Sequence, residues 1–114
     1  MIWWGNDQRK ELTQKAIELY QQKHPNVKFE TKTYPNTTDL KVNLAMNTAD
    51  EEMPDIIQVN YDFIHNYALR DLFEPLNPYI EQNILDLSDV DKSYLEGGID
   101  KNQLYGLTFG INAY

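Results

Sequence analysis

The sequence predicts an α/β domain whose mainly parallel sheet is flanked by helices. Strand-like and helix-like segments alternate along the chain, as they do in β-α-β units. After Pro54 comes a short β-branched run, Ile56, Ile57 and Val59. A strand that is apolar on both faces is typical of a parallel sheet covered by helices. Because such sheets bind ligands beyond the carboxyl ends of their strands, the residues directly after Val59 are candidates for a site.

Length and composition exclude several functions. With 114 residues the chain is long enough for one domain with a core. Ten basic residues against eighteen acidic ones give a net charge of −8, so we expect no nucleic-acid partner. The absence of cysteine removes thiol chemistry and thiolate metal sites. The first residues do not resemble a signal peptide, so for an exported protein we expect the signal sequence to lie outside this chain.

The first third of the sequence predicts one β-α-β unit. Residues 2–4 form a short strand, Asn6 or Asp7 caps the helix that follows, and Pro25 ends it. Residues 27–34 are the second strand. The helix carries apolar residues on one stripe: Leu12, Ala16, Ile17, Leu19 and Tyr20.

A second helix, capped by Thr37 or Thr38 and fading near Ala49, precedes an acidic loop and the central strand, residues 55–59. The later segments predict a short helix over 63–68, a turn or helix from Asn77, an acidic helix from Ser88 or Asp89 to Glu96, and a strand over 104–111. Because the sequence ends in Asn112-Ala113-Tyr114 without a turn or cap, we expect the protein to continue beyond it.

Four motifs carry a resemblance to a known family: Ile2-Trp3-Trp4-Gly5, then Leu19-Tyr20 ahead of His24-Pro25-Asn26-Val27, then Pro54-Asp55-Ile56-Ile57 with Asp62 beyond it, and Leu104-Tyr105-Gly106-Leu107. In order and spacing they resemble the amino-terminal part of the sugar-binding extracellular solute-binding proteins of ABC importers. The sequence departs from the family pattern at two places. Asp50-Glu51-Glu52 stands where a glycine is usual, beside the cleft, and Thr108 stands where a proline is usual, near the hinge.

The resemblance implies a two-lobed periplasmic-binding-protein fold, of which residues 1–114 are a partial amino-terminal lobe ending near the first crossover between lobes. It implies a carbohydrate-binding component that captures an extracellular mono- or oligosaccharide and delivers it to a membrane permease. The implied location is extracytoplasmic, either in the periplasm or on the cell surface as a lipoprotein.

Asp62 is the first candidate ligand residue. A carboxylate can accept hydrogen bonds from two neighbouring sugar hydroxyls, and such charge-assisted bonds are short and strong. The resemblance also implies that Asp62 is a sugar-binding aspartate. The alternative is that Asp62 only caps the helix that begins at Phe63. Asn60 and Tyr61 are expected beside it on the same rim.

Trp4 is the candidate aromatic platform, since a sugar ring has an apolar face that an aromatic ring can cover. Trp3 points to the other face of the strand and is expected in the core. Asn6 and Asp7 follow the strand and are candidate ligand contacts, although such residues more often cap helices. Tyr34 can supply ring surface and a hydroxyl to the same cleft, or can belong to the core.

No metal, cofactor or catalytic site is predicted. The chain has two histidines, no cysteine and no His-Glu-x-x-His pattern, and Tyr94 stands where a calcium loop would require glycine. There is no glycine-rich phosphate loop and no Gly-x-Ser-x-Gly motif. The sequence therefore predicts binding rather than an enzyme.

Two alternatives remain open. A small phosphoreceiver-like signalling domain would use acidic residues that Asn6-Asp7 and Asp62 imitate, but it needs a lysine after a late strand, and none is present. An isolated self-associating α/β module is the other. We expect the chain to form a homodimer through residues 55–59 or 104–111. The two copies would either pair their exposed strand edges or exchange the terminal segment, with Gly106 or Gly110 as hinge.

Overall fold

The structure is a computed structural model that describes residues 1–110. The chain divides into two compact units, a first unit of residues 1–59 and a second unit that begins at Asn60. Within residues 1–110, no helix is both long enough and apolar enough to cross a membrane.

A small parallel sheet forms the centre of the first unit. Strand β1 (Ile2–Trp4) pairs in parallel with β2 (Lys32–Tyr34), with Trp3 opposite Thr33. On its other side β1 meets a single parallel bridge at Ile57, where the backbone N–H of Ile2 donates to Ile56 at 3.0 Å. The predicted parallel arrangement is therefore confirmed, with β1 in the middle.

Helix α1 (Asp7–Lys23) has the predicted bounds, because its start and stop are encoded locally. The Asn6 side-chain oxygen accepts the backbone N–H of Arg9 at 3.0 Å, and the helix ends at His24, directly before Pro25. The predicted apolar stripe is mostly exposed, since Ile17 alone is buried. Three-residue strands extend roughly 10 Å, whereas this helix extends about 25 Å, so the described sheet is too short to cover it.

Helix α2 (Thr37–Ala49) covers both strands of the first unit. Its cap is Asn36, whose side-chain oxygen accepts the backbone N–H of Asp39 at 2.9 Å, so the predicted caps at Thr37 and Thr38 are wrong. Asparagine one residue earlier supplies the same acceptor. Leu40 and Leu44 are completely buried with Trp3 at the centre of this core. Each buried leucine contributes about 1.5–3 kcal/mol relative to an exposed one.

The second unit holds two short helices and a hairpin. Helices α3 (Asp62–Ala68) and α4 (Asn77–Glu81) are followed by 3₁₀ turns at Lys92–Tyr94 and Glu96–Gly98. Strands β3 (Ile99–Asp100) and β4 (Gln103–Leu104) then pair antiparallel. Their two-residue turn places Lys101 and Asn102 at φ of 47° and 66°, as type I′ hairpins require. Phe63, Ile64, Ala68 and Leu104 are buried here.

The predicted strands are longer than the observed ones. Of residues 27–34 only 32–34 are strand, because β1 offers just three residues to pair with. Of residues 55–59 only Ile57 bridges to β1, at Ile2. Ile56 is exposed, so the expectation of a buried central strand is also wrong. Of the predicted strand over 104–111, only Leu104 is in a strand among the described residues, and Ile111 lies outside them.

The predicted acidic helix from Ser88 or Asp89 to Glu96 is also wrong. Asp86 accepts the backbone N–H of Ser88 at 2.9 Å, and Asp91 accepts that of Ser93 at 2.9 Å. Aspartates that bond the backbone two residues on compete with helical hydrogen bonding. The segment therefore forms turns and a short 3₁₀ element.

Candidate functional site

Four predicted site residues lie at the carboxyl end of the parallel strands in the first unit. Trp4 and Tyr34 end β1 and β2 and are register partners, so their side chains project to the same face of the sheet. The Gly5 backbone N–H donates to the Tyr34 carbonyl at 2.9 Å. Asn6 and Asp7 follow at once as the cap and first residue of α1. The structure therefore brings Trp4, Asn6, Asp7 and Tyr34 together.

The two tryptophans differ in environment. Trp3 is 1% exposed, which confirms its predicted place in the core. Trp4 is half-buried, and the guanidinium carbon of Arg9 lies 4.7 Å from the centroid of its ring. A cation at this distance over an indole face makes a favourable cation–π contact. Trp4 is thus a partly accessible ring with the Arg9 cation over one face.

Arg9 is a candidate that the sequence interpretation missed. With Asn6 as cap, Arg9 is the third residue of α1, a position whose side chain reaches back over the cap. The sequence feature that could have identified Arg9 is its position three residues after the capping residue Asn6. Gly5 makes room for it: φ there is 151°, and a Cβ would come within 2.5 Å of Arg9 Cδ. The positive φ favours glycine at this position, and any larger residue would also have to displace the Arg9 side chain.

The polar groups of the first unit are only partly satisfied. The Asn6 side-chain oxygen is committed to capping α1, which leaves its amide nitrogen for other contacts. Asp7 is exposed at the start of the same helix. Tyr34 is 9% exposed, and within residues 1–110 its buried hydroxyl and the buried indole N–H of Trp3 have no hydrogen-bond partner. A buried polar atom without a partner costs about 1–3 kcal/mol.

The remaining three predicted site residues lie together in the second unit, where α3 begins. The carbonyls of Asn60 and Tyr61 accept the backbone N–H groups of Phe63 and Ile64, each at 3.1 Å. The Tyr61 ring is 79% exposed. Asn60 and Asp62 are exposed as well. An amide, an aromatic ring and a carboxylate therefore face solvent at the start of one helix.

Asp62 does not occupy the capping position. That position belongs to Tyr61, which makes no side-chain capping bond, and Asp62 is the first helical residue. The alternative interpretation of Asp62 as the helix cap is therefore wrong. A negative charge in the first turn is still favourable to the helix dipole.

A second feature of α3 is the pair formed by His65 and Asp100. His65 Nδ1 lies 2.6 Å from Asp100 Oδ1 and so connects α3 to β3. The His65 side chain is largely exposed, whereas that of Asp100 is mostly buried. This contact fixes the hairpin against the helix that begins at Asp62.

The pKa shifts of the described residues have structural causes. Hydrogen bonds from the serines two residues on lower the pKa of Asp86 and of Asp91. A hydrogen bond to the Glu74 carboxylate, together with its negative charge, raises the pKa of Tyr79. Residues 1–110 contain no cluster of three side chains suited to hold a metal ion.

Comparison with known proteins gives a match along almost the whole chain. Residues 5–114 match the family described as bacterial extracellular solute-binding protein. An extracellular solute-binding protein family 1 structure from Alicyclobacillus acidocaldarius is similar at 24% identity with a TM-score of 0.85, covering 93% of this chain and 26% of that one.

Two further solved structures are similar. The sugar-binding protein MalE from Xanthomonas citri shares 22% identity with a TM-score of 0.78, covering 92% of this chain and 27% of that one. The ABC substrate-binding protein from Listeria monocytogenes in complex with cycloalternan shares 20% identity with a TM-score of 0.77, covering 93% of this chain and 27% of that one. These similarities confirm the predicted fold class. The chain spans about a quarter of the length of each structure.

Proposed function

The chain belongs to the bacterial extracellular solute-binding protein family, and on that basis we propose that it is part of the carbohydrate-binding component of an ABC transporter. The observation that carries the proposal is the family match over residues 5–114. Similarity to a sugar-binding protein and to a substrate-binding protein complexed with cycloalternan supports a saccharide as the ligand. Family membership favours this function over the phosphoreceiver-like alternative.

Residues 1–114 are then part of the amino-terminal lobe of a longer protein, which we call the full-length protein. Its role is to capture a mono- or oligosaccharide outside the cytoplasm, in the periplasm or as a cell-surface lipoprotein. Closure of two lobes about a hinge would trap the sugar and present the closed form to a membrane permease. Hydrogen bonding and stacking are sufficient for capture, so no chemical change of the ligand is required.

In the second unit, Asp62 is the main hydrogen-bond acceptor for sugar hydroxyls. Its exposed position at the start of α3 supports this role. The exposed ring of Tyr61 supplies apolar surface for a sugar face, and the Asn60 amide can donate and accept beside it.

In the first unit, the part of the half-buried Trp4 ring that Arg9 leaves uncovered is the stacking surface. Asn6 contributes its free amide nitrogen and Asp7 its exposed carboxylate. The Tyr34 hydroxyl is buried and has no partner within residues 1–110, so contact with a ligand hydroxyl would require the side chains that cover it to move.

Calorimetric titration of the full-length protein with a panel of neutral and acidic mono- and oligosaccharides tests the proposal. We expect at least one saccharide to bind. Asp62→Ala should weaken that binding by about 1.5–3 kcal/mol, the contribution of a hydrogen bond to a charged group. Asp89→Ala removes an equally exposed carboxylate from a turn of the same unit and should leave affinity unchanged.

Two results would count against the proposal. Failure of the whole panel to bind would refute saccharide capture. Equal affinity for the wild type and the Asp62→Ala variant would leave saccharide binding in place but remove Asp62 from the site.

A further inference from the structure

The guanidinium of Arg9 is held in one position by two neighbours. Its central carbon lies 4.7 Å from the centroid of the Trp4 ring. Its stem runs along Gly5, where a Cβ would lie 2.5 Å from Arg9 Cδ and 3.0 Å from Arg9 Cβ. The Arg9 backbone is fixed as well, because its N–H donates to Asn6. Arg9 is therefore positioned in advance of any ligand.

The positive charge of Arg9 has no counter-ion in the described part of the chain. Among residues 1–110 no carboxylate forms an ion pair with it, although acidic residues outnumber basic ones by 18 to 10. Asp7, two residues earlier, is exposed and does not pair with it. Arg9 is half-buried, whereas the lysines of α1 are exposed. A half-buried cation without a counter-ion favours binding of an anion.

A surface depression of about 370 Å³ lies directly beside this cation. Its lining residues are Asn6, Gln8, Arg9, Leu12 and Thr13. The depression is open to solvent, so it forms one wall of a site and not an enclosed pocket. The amide of Gln8 and the hydroxyl of Thr13 are the kinds of group that bind sugar hydroxyls, and Leu12 supplies apolar surface. One wall of the first unit thus combines a cation, polar groups and an aromatic ring.

Resting on the proposed sugar-binding function, we propose that Arg9 is a specificity-determining residue that selects saccharides carrying a carboxylate, the uronic-acid oligosaccharides. The guanidinium pairs with the sugar carboxylate, for which its planar fork of donors is suited. Gln8 and Thr13 bind hydroxyls of the same sugar. Trp4 and Gly5 hold Arg9 in place for this contact.

A simpler role for Arg9 is to cover the Trp4 ring and nothing more. The two roles differ in what they predict about ligands. If Arg9 only covers the ring, its removal changes stability, or changes affinity for acidic and neutral sugars alike. If Arg9 binds a carboxylate, its removal weakens acidic sugars selectively.

The test is calorimetry on the full-length protein with paired probes. Oligogalacturonate and oligoglucuronate trisaccharides are each compared with their methyl esters, which keep the sugar and remove the charge, and maltotriose serves as a neutral reference. The variants are Arg9→Gln, which removes the charge, and Arg9→Lys, which keeps it but lacks the fork. Lys10→Gln is the matched control, because it removes the same charge from the next, exposed position of α1.

We expect the wild type to bind at least one acid about tenfold or more tightly than its ester. Arg9→Gln should abolish that preference and leave affinity for the ester within about twofold, while Lys10→Gln keeps the preference. Arg9→Lys should reduce it. If Arg9→Gln does not fold, a full preference in Arg9→Lys would overturn the role of the fork.

Equal binding of acid and ester by the wild type would overturn the inference, as would equal losses for both in Arg9→Gln. Binding of maltotriose without any preference for acids would refute the inference and leave the proposed function intact. Binding of no saccharide would refute both.

Discussion

Replacing Gly5 with alanine tests how the backbone, Arg9 and Trp4 depend on one another. Gly5 has a φ of 151°, a conformation that residues with a Cβ rarely adopt. The added methyl would also lie 2.5 Å from Arg9 Cδ. We therefore expect Gly5→Ala to destabilise the full-length protein by two separate effects.

The two effects have different sizes. Forcing a residue with a Cβ into this region of φ costs about 1–3 kcal/mol. Displacing the Arg9 stem adds the loss of its contact with Trp4, about 0.5–1 kcal/mol for a cation–π pair near the surface. In Gly5→Ala combined with Arg9→Ala the second effect is already absent. The double variant should therefore lose less stability than the sum of the single variants.

Urea unfolding followed by circular dichroism measures these free energies without relying on Trp4 fluorescence. Gly110→Ala is the control, because Gly110 has no positive φ and a Cβ there would meet nothing within 4 Å among residues 1–110. It should change stability by less than about 0.5 kcal/mol. Equal stability of Gly5→Ala and Gly110→Ala would refute the described geometry at Gly5. Strict additivity in the double variant would refute the coupling to Arg9.

Three other predictions concern the core and the isolated chain of residues 1–114. Leu44→Ala, at a fully buried position of α2, should cost about 2–5 kcal/mol in urea unfolding, whereas Val42→Ala on the exposed side should cost under about 0.5 kcal/mol; similar losses would contradict the assigned core. The isolated chain should bind saccharides far more weakly than the full-length protein, because it supplies only one wall of the cleft. Comparable affinities of the two in calorimetry would contradict this prediction. The isolated chain should also self-associate, because within residues 1–110 strand β2 has a neighbour on one side only; light scattering should give twice 13.4 kDa, and a constant 13.4 kDa would exclude a dimer.

Local signals made the helices of the first unit predictable. Asn6 and Pro25 determine the start and stop of α1 through a side-chain bond and a steric restriction, both of which act within a few residues. At α2 the same reasoning was one residue off, since Asn36 and Thr37 both suit a cap and the sequence does not rank them.

Strand lengths were less predictable because they depend on partners that are distant in sequence. Residues 55–59 have strong β-propensity, yet Ile57 alone bridges to β1, at Ile2. The acidic segment lost its predicted helix to bonds made by Asp86 and Asp91, a competition that composition does not decide.

For the candidate site, position along the chain indicated which residues follow strands or open helices, as with Trp4 and Asp62. It did not indicate Arg9, whose contact with the Trp4 ring depends on the path of the backbone at Gly5. Nor did it decide between core and cleft for Tyr34, because burial of its ring depends on how α2 packs over the strands.

A crystal structure of the full-length protein with a bound saccharide tests the central claim most directly. We expect the Asp62 carboxylate to accept hydrogen bonds from sugar hydroxyls at about 2.5–3.0 Å. Asn60 and Tyr61 should lie on the same rim. A saccharide that contacts neither Asp62 nor Trp4 would contradict the account.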